Sequence, residues 1–148
     1  MKYVLCLAGL ALSVFAYAQV PTDYVDASDI NHSTWTTHVD NQNLKIELKR
    51  ADCAINSGLD QQYIFVRLTN KTQNAMSLEW DMELYYNDDC KTCGVDEYHW
   101  NYQLAPSQTV EGECTLDADK RVRLFTKFLN YPNNSELTGF KFNNLTID

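Results

Sequence analysis

The chain is poor in glycine, in histidine and in positive charge, and each shortage closes off a class of function. Five glycines occur in 148 residues. Those beyond the first segment, Gly58, Gly94, Gly112 and Gly139, form no phosphate-cradling loop. The histidines, His32, His38 and His99, lack a recognisable partner arrangement, and no Gly-x-Ser-x-Gly occurs, so nothing points to nucleophilic catalysis. Twelve Lys and Arg stand against twenty Asp and Glu, a net charge of −8. Such a surface repels phosphate backbones, so nucleic acid and anionic membranes are poor partners for it. No internal repeat, low-complexity tract or convincing amphipathic helix is visible. After residue 18 no apolar run approaches the roughly 20 residues that a membrane helix needs.

What is present begins with an export pattern. Lys2 is followed by an apolar run from Val4 to Phe15 and by Ala16-Tyr17-Ala18, a small-x-small cleavage site. Residues 1–18 are therefore expected to be a signal peptide, with a retained anchor as the alternative. The working protein then starts at Gln19 and is secreted, periplasmic or extracellular. Loss of Lys2 leaves eleven basic and twenty acidic residues, a net charge of −9. Cys6 leaves too, so four cysteines remain: Cys53, Cys90, Cys93 and Cys114. An even number in an exported chain reads as two disulfides, with three connectivities possible. The favoured pairing is Cys90–Cys93 across a short loop and Cys53–Cys114 as a long staple.

Residues 19–33 are polar and show no sustained period, so they read as a lead-in to a single domain over 34–148. In that domain the period is two. Leu44, Ile46 and Leu48 alternate with charged neighbours. Ile64, Val66 and Leu68 lie opposite Tyr63 and Phe65, which describes a central strand covered on both sides. From Met76 to Tyr86, Leu78, Trp80, Met82 and Leu84 share a face, and Ser77, Glu79, Asp81, Glu83 and Tyr85 share the other. Further alternations run through Tyr98–Leu104 and Val122–Phe128, with a short strand through Val110–Cys114 and a last strand over Gly139–Ile147 carrying Phe140, Phe142, Leu145 and Ile147. Seven or eight short strands predict an all-β, antiparallel β-sandwich, with a small β-barrel as the alternative.

Ala18-Gln19 at the end of the leader and Leu104-Ala105-Pro106-Ser107, followed by Val110 and Gly112, resemble small secreted immunoglobulin-like modules of Bacteroidetes. Those modules often carry Leu-x-Pro-Gly before a short strand, and Ser107 stands where that glycine would be. The resemblance implies an immunoglobulin-like version of the sandwich and carries over no functional residue.

Several groups are candidates for chemistry. Cys90-Lys91-Thr92-Cys93 has the spacing of a redox motif, but it follows a strand and two aspartates that would raise a thiol's pKa, so a structural disulfide is favoured. With His99 the same cysteines make an incomplete zinc half-site, and no metal or cofactor is expected. Glu79, Asp81 and Glu83 form an acidic row at about 7 Å spacing. It would suit a basic partner, weak calcium binding or a glycosidase pair, or else be a solvated face neutralised by Lys45 and Lys49 or by Arg121, Arg123 and Lys127. Trp35, Tyr85 and Trp100 are the aromatics expected to share a binding face with that row. Asn31, Asn70, Asn133 and Asn144 head N-glycosylation sequons, which matter only in a host using that pathway. The leading expectation is an exported, non-catalytic binding or structural module presenting an acidic and aromatic face to an extracellular protein or glycan. The alternatives are an exported enzyme, either a thiol oxidoreductase or a carboxylate hydrolase, and a secreted inhibitor of an extracellular enzyme.

Overall fold

The computed structural model describes residues 18–55, 59–131 and 135–148. All of the expected signal peptide except Ala18 lies outside them, as does the sequon at Asn133. Two antiparallel sheets face each other and share no edge strand, so the chain is a β-sandwich and not a barrel. In the first sheet β6 (Met76–Tyr86) and β11 (Leu137–Ile147) form the centre. The short strands β1 (Ala18–Gln19) and β2 (Val25–Asp26) border β11, while β8 (His99–Leu104) and β7 (Asp89–Cys90) border β6. In the second, β4 (Leu44–Ile55) and β5 (Leu59–Asn70) are central. The strand β3 (Thr36–Asp40) borders β4, and β9 (Thr109–Glu111) and β10 (Arg123–Phe128) border β5. The period-two segments of the sequence correspond to β4–β6, β8 and β10, and the further strands expected near 110–114 and 139–147 to β9 and β11. The two-residue strands β1, β2 and β7 are too short to carry a period.

The core follows from the alternation. Leu78, Trp80, Met82 and Leu84 of β6 and Phe140 and Phe142 of β11 are buried against Leu44, Ile46, Leu48, Ile64, Val66 and Leu68 of the other sheet. Trp80 sits edge-on to Trp100, with ring centroids 6.1 Å apart, and at the same distance from Phe142. On the outer face of β5, Tyr63 and Phe65 form a smaller cluster with Cys53, Trp35, Ala51 and Phe125. This is why β5 reads as apolar on both sides.

The polar lead-in, residues 19–33, packs onto the sandwich. Gln19 pairs with Thr146 and Val25 with Phe140, and Val20, Val25, Ala27 and Ile30 are buried. Their apolar residues follow no period because two short strands are separated from the chain beyond by a 3-10 turn at Ala27–Asp29. Asp26 caps that turn, accepting the Ser28 amide at 2.8 Å.

Turns place the strands. Asn70 is buried, and its amide donates to the carbonyls of Asn74 at 2.7 Å and Ala105 at 3.0 Å while its oxygen accepts the Thr72 amide at 2.9 Å. That sequon position therefore organises a turn. Pro106 and Ser107 fill the middle of the next turn, closed by the Gln108 amide on the Ala105 carbonyl at 3.1 Å. Ser107 has φ 56°, a left-handed conformation that glycine adopts without strain. Gly112 lies where the chain crosses the outer face of β5; a Cβ there would come within 2.3 Å of the Val122 carbonyl oxygen.

Both expected disulfides form. Cys53–Cys114 ties the outer face of β4 to the segment after β9 across 61 residues, and Cys90–Cys93 closes a three-residue separation. Because the long bridge restricts the unfolded chain far more, replacing Cys53 and Cys114 with serine is expected to lower unfolding free energy by about 2–5 kcal/mol. Serine at Cys90 and Cys93 should cost much less, and denaturant titration of the two variants checks this. Ser107→Gly should raise stability by about 0.5 kcal/mol, the relief of left-handed strain less the added freedom of the unfolded chain, read as a higher melting temperature.

Candidate functional site

The outer face of β6 carries the polar half of its alternation. Asp81 stands in register between His99 of β8 and Asn143 of β11. One of its oxygens lies 2.8 Å from His99 Nδ1, and the other accepts the Asn144 amide at 2.8 Å. Asn144 reaches it because β11 shifts register between Asn143 and Thr146, and Asn144 adopts φ 53°. The extra residue in the bulge turns that amide to the outer face while Leu145 returns to the core. The hydrogen bonds from His99 and then Asn144 hold the Asp81 carboxyl below the ordinary aspartate range.

Glu83, opposite Lys141 in register, accepts the Tyr85 hydroxyl at 3.0 Å. That bond raises the Tyr85 pKa, with smaller contributions from burial and from Glu83 and Tyr24. Tyr85 meets Tyr24 edge to face, centroids 5.2 Å apart. Tyr24 lies directly over Gly139, where a Cβ would come within 1.9 Å of its hydroxyl oxygen. The glycine is what lets this ring rest on the sheet. Glu79, in register with Asn101 and Thr146, is the outermost member of the row and is exposed.

A cavity of about 370 Å³ adjoins this face, lined by Asp81, Glu83, Asp96, His99, Asn143 and Asn144, with Thr92, Gly94, Val95 and Tyr98 completing its wall. The Cys90–Cys93 loop forms one rim. Strand β8 pairs with β6 as far as Asp81, and β7 resumes at Tyr85. In the gap, buried Thr92 uses its hydroxyl to accept the Leu84 amide at 2.8 Å and to donate to the Met82 carbonyl at 2.7 Å. The disulfide thus closes a loop whose side chain replaces a missing strand partner. The motif starts on the last residue of β7 and precedes a turn at Gly94, φ 70°, with no α-helix whose N-terminus would activate a thiol. Among the described residues no group of three or more His, Cys, Asp or Glu is arranged to hold a metal ion.

The expected face is only partly assembled. Glu79, Asp81, Glu83 and Tyr85 are together on it. Trp100 is not: it is buried at 6 % exposure, donating its indole N–H to the Glu97 carbonyl at 3.2 Å. The inward phase of β8 carries it there with Tyr98, Tyr102 and Leu104. Trp35 lies on the outer side of the other sheet, with the Arg67 guanidinium 3.8 Å and the Lys49 ammonium 5.1 Å from its ring centroid. The expected neutralising cations also belong elsewhere. Lys45 pairs with Glu47, Arg121 with Asp119 and Lys127 with Glu136, while Arg123 donates to the carbonyls of Glu113 and Thr115. Tyr24, Asp96, Asn143 and Asn144 were not anticipated. The shift of inward residues from Phe142 to Leu145, an odd step in a period-two strand, is the sequence signal for the last of these.

No protein-family profile, curated protein or solved structure matches this chain.

Because His99 and Asn144 favour its ionised form, Asp81 should titrate below ordinary aspartates. Its contribution to stability is present above the unfolded-state pKa and is lost as pH falls through the lower folded-state value. Asn144→Ala or His99→Ala should move the Asp81 midpoint upward, and carboxyl-carbon NMR across an acid titration measures it.

Proposed function

We propose that this chain is an exported, non-catalytic binding module whose site is the outer face of β6 with its adjoining cavity. The ligand is rich in hydrogen-bond donors: a glycan or a basic segment of an extracellular protein. The observation that carries this reading is Asp81. Its two oxygens are each held by one donor, leaving further lone pairs available, and its depressed pKa keeps it an acceptor throughout the neutral range. Glu83, Asp96 and the amides of Asn143 and Asn144 line the same cavity, whose size lies within the range usual for small-ligand sites. The Tyr24–Tyr85 pair beside it offers aromatic surface suited to the apolar face of a sugar ring or to a lysine or arginine stem.

Export rests on the pattern of residues 1–18, and two disulfides accord with an oxidising compartment. The resemblance to secreted immunoglobulin-like modules agrees with a sandwich that presents a binding face. Hydrolysis by a carboxylate pair needs a general acid with a raised pKa, and Asp81 is shifted the other way. Thiol exchange needs an activated cysteine, whereas the Cys90–Cys93 loop is used to hold Thr92 against β6.

Glycan and basic-peptide arrays probed with the mature protein test this reading. Asp81→Asn and Glu83→Gln should each weaken the interaction about tenfold, the loss of one charge-assisted contact, and Tyr85→Ala by about as much through loss of aromatic surface. Trp35→Ala, on the opposite sheet, should leave it unchanged. Binding that falls steeply with added salt identifies a basic segment, and binding insensitive to salt identifies a glycan. Unaltered binding by all three face variants, or a loss caused by Trp35→Ala alone, would refute the proposed face.

A further inference from the structure

A second cavity, about 560 Å³ in volume, is lined by residues of both sheets and of the segment 24–32. Its chemistry starts with a break in the pattern of β4. The inward series Leu44, Ile46, Leu48 continues not with an aliphatic residue but with Arg50, which is 9 % exposed. On β5 the inward series ends in the same way, at buried Gln62. Arg50 donates to Gln62 Oε1 and to the carbonyls of Ala27 and Ile30, all neutral oxygens. Among the described residues no carboxylate pairs with it, and two of the five guanidinium N–H groups have no acceptor. Burying an arginine without a counter-ion is costly, and this one lines an open cavity.

The same cavity carries negative charge. Glu136 is paired with Lys127 at 2.8 Å, and Asp26 accepts the backbone and hydroxyl of Ser28. Asp88, in the left-handed turn after β6 at φ 67°, has a carboxylate with no hydrogen bond or ion pair among the described residues. A simple anion entering here would meet these carboxylates, and a simple cation would meet the buried guanidinium. A molecule with both charges satisfies each.

We infer that this cavity binds a small zwitterion, an α-amino acid or short peptide. Its carboxylate takes the unused N–H groups of Arg50, and its ammonium lies on the Asp88 side. Ile30 and Leu137 give the wall an apolar part, which favours an aliphatic side chain. The cavity meets the outer face of β6 at Tyr24, which lines both, and neither Arg50 nor Asp88 belongs to that face.

Titration of the isotopically labelled mature protein with L-leucine, leucinamide and 4-methylpentanoate tests the inference by NMR. Leucine should shift the Arg50 Nε–H and Gln62 side-chain signals saturably. Leucinamide, without the carboxylate, and 4-methylpentanoate, without the amine, should each bind about tenfold more weakly. Arg50→Lys keeps the charge but loses the planar fork and should weaken leucine about tenfold. Asp88→Asn, in an exposed turn that does not endanger folding, should weaken leucine while leaving 4-methylpentanoate unchanged. The inference is overturned if leucine gives no saturable shift, if 4-methylpentanoate binds as tightly as leucine, or if Asp88→Asn binds leucine like the parent.

Discussion

Strand β6 has to set Leu78, Trp80, Met82 and Leu84 against the opposite sheet, because the core has no other source of large side chains between β8 and β11 at that level. A strand's side chains alternate, so the same requirement sends Glu79, Asp81, Glu83 and Tyr85 outward in a fixed row. Neither neighbour can slip by a single residue along its length without turning apolar residues into water. Asp81 therefore meets His99 on one side, and β11 on the other, as a direct result of core packing. The acceptor-rich face is the outer side of the same constraint that builds the interior.

Much of the fold was legible because it is expressed locally. The alternations of β4, β5, β6, β8 and β10 are visible residue by residue, and Tyr63 and Phe65 correctly marked β5 as covered on both sides. The pairing favoured among the three possible, on the expectation of export and on cysteine spacing, is the one that forms. The packing of segment 19–33 is not legible in the sequence because its strands are two residues long, too short to show a period, and its buried residues are spread among aspartates.

The candidate site was legible only where it lay on one strand. Glu79, Asp81, Glu83 and Tyr85 share a face by parity alone. Trp35 was grouped with them on residue type, but which sheet a segment joins is decided by long-range pairing, here of β3 with β4. Trp100 shared the inward phase of Tyr102 and Leu104, and only its size invited a surface role. Asn144 depends on a bulge, whose signature was the uneven step from Phe142 to Leu145. The buried Arg50 was hidden in the same way, since a charge ending an apolar series reads equally as the end of a strand.

Thr92 has one more consequence. On the side of β6 that β8 and β7 border, the backbone of Met82–Leu84 pairs with no strand, and the Thr92 hydroxyl occupies that position. Without the Thr92 hydroxyl and the Lys91 amide, which donates to the Leu84 carbonyl at 2.9 Å, this stretch of β6 would be a gap of bare amide and carbonyl between β8 and β7. Such a gap is a template for an extended segment of another chain. The loop closed by the small Cys90–Cys93 ring thus covers a length of edge that a strand would otherwise have to border.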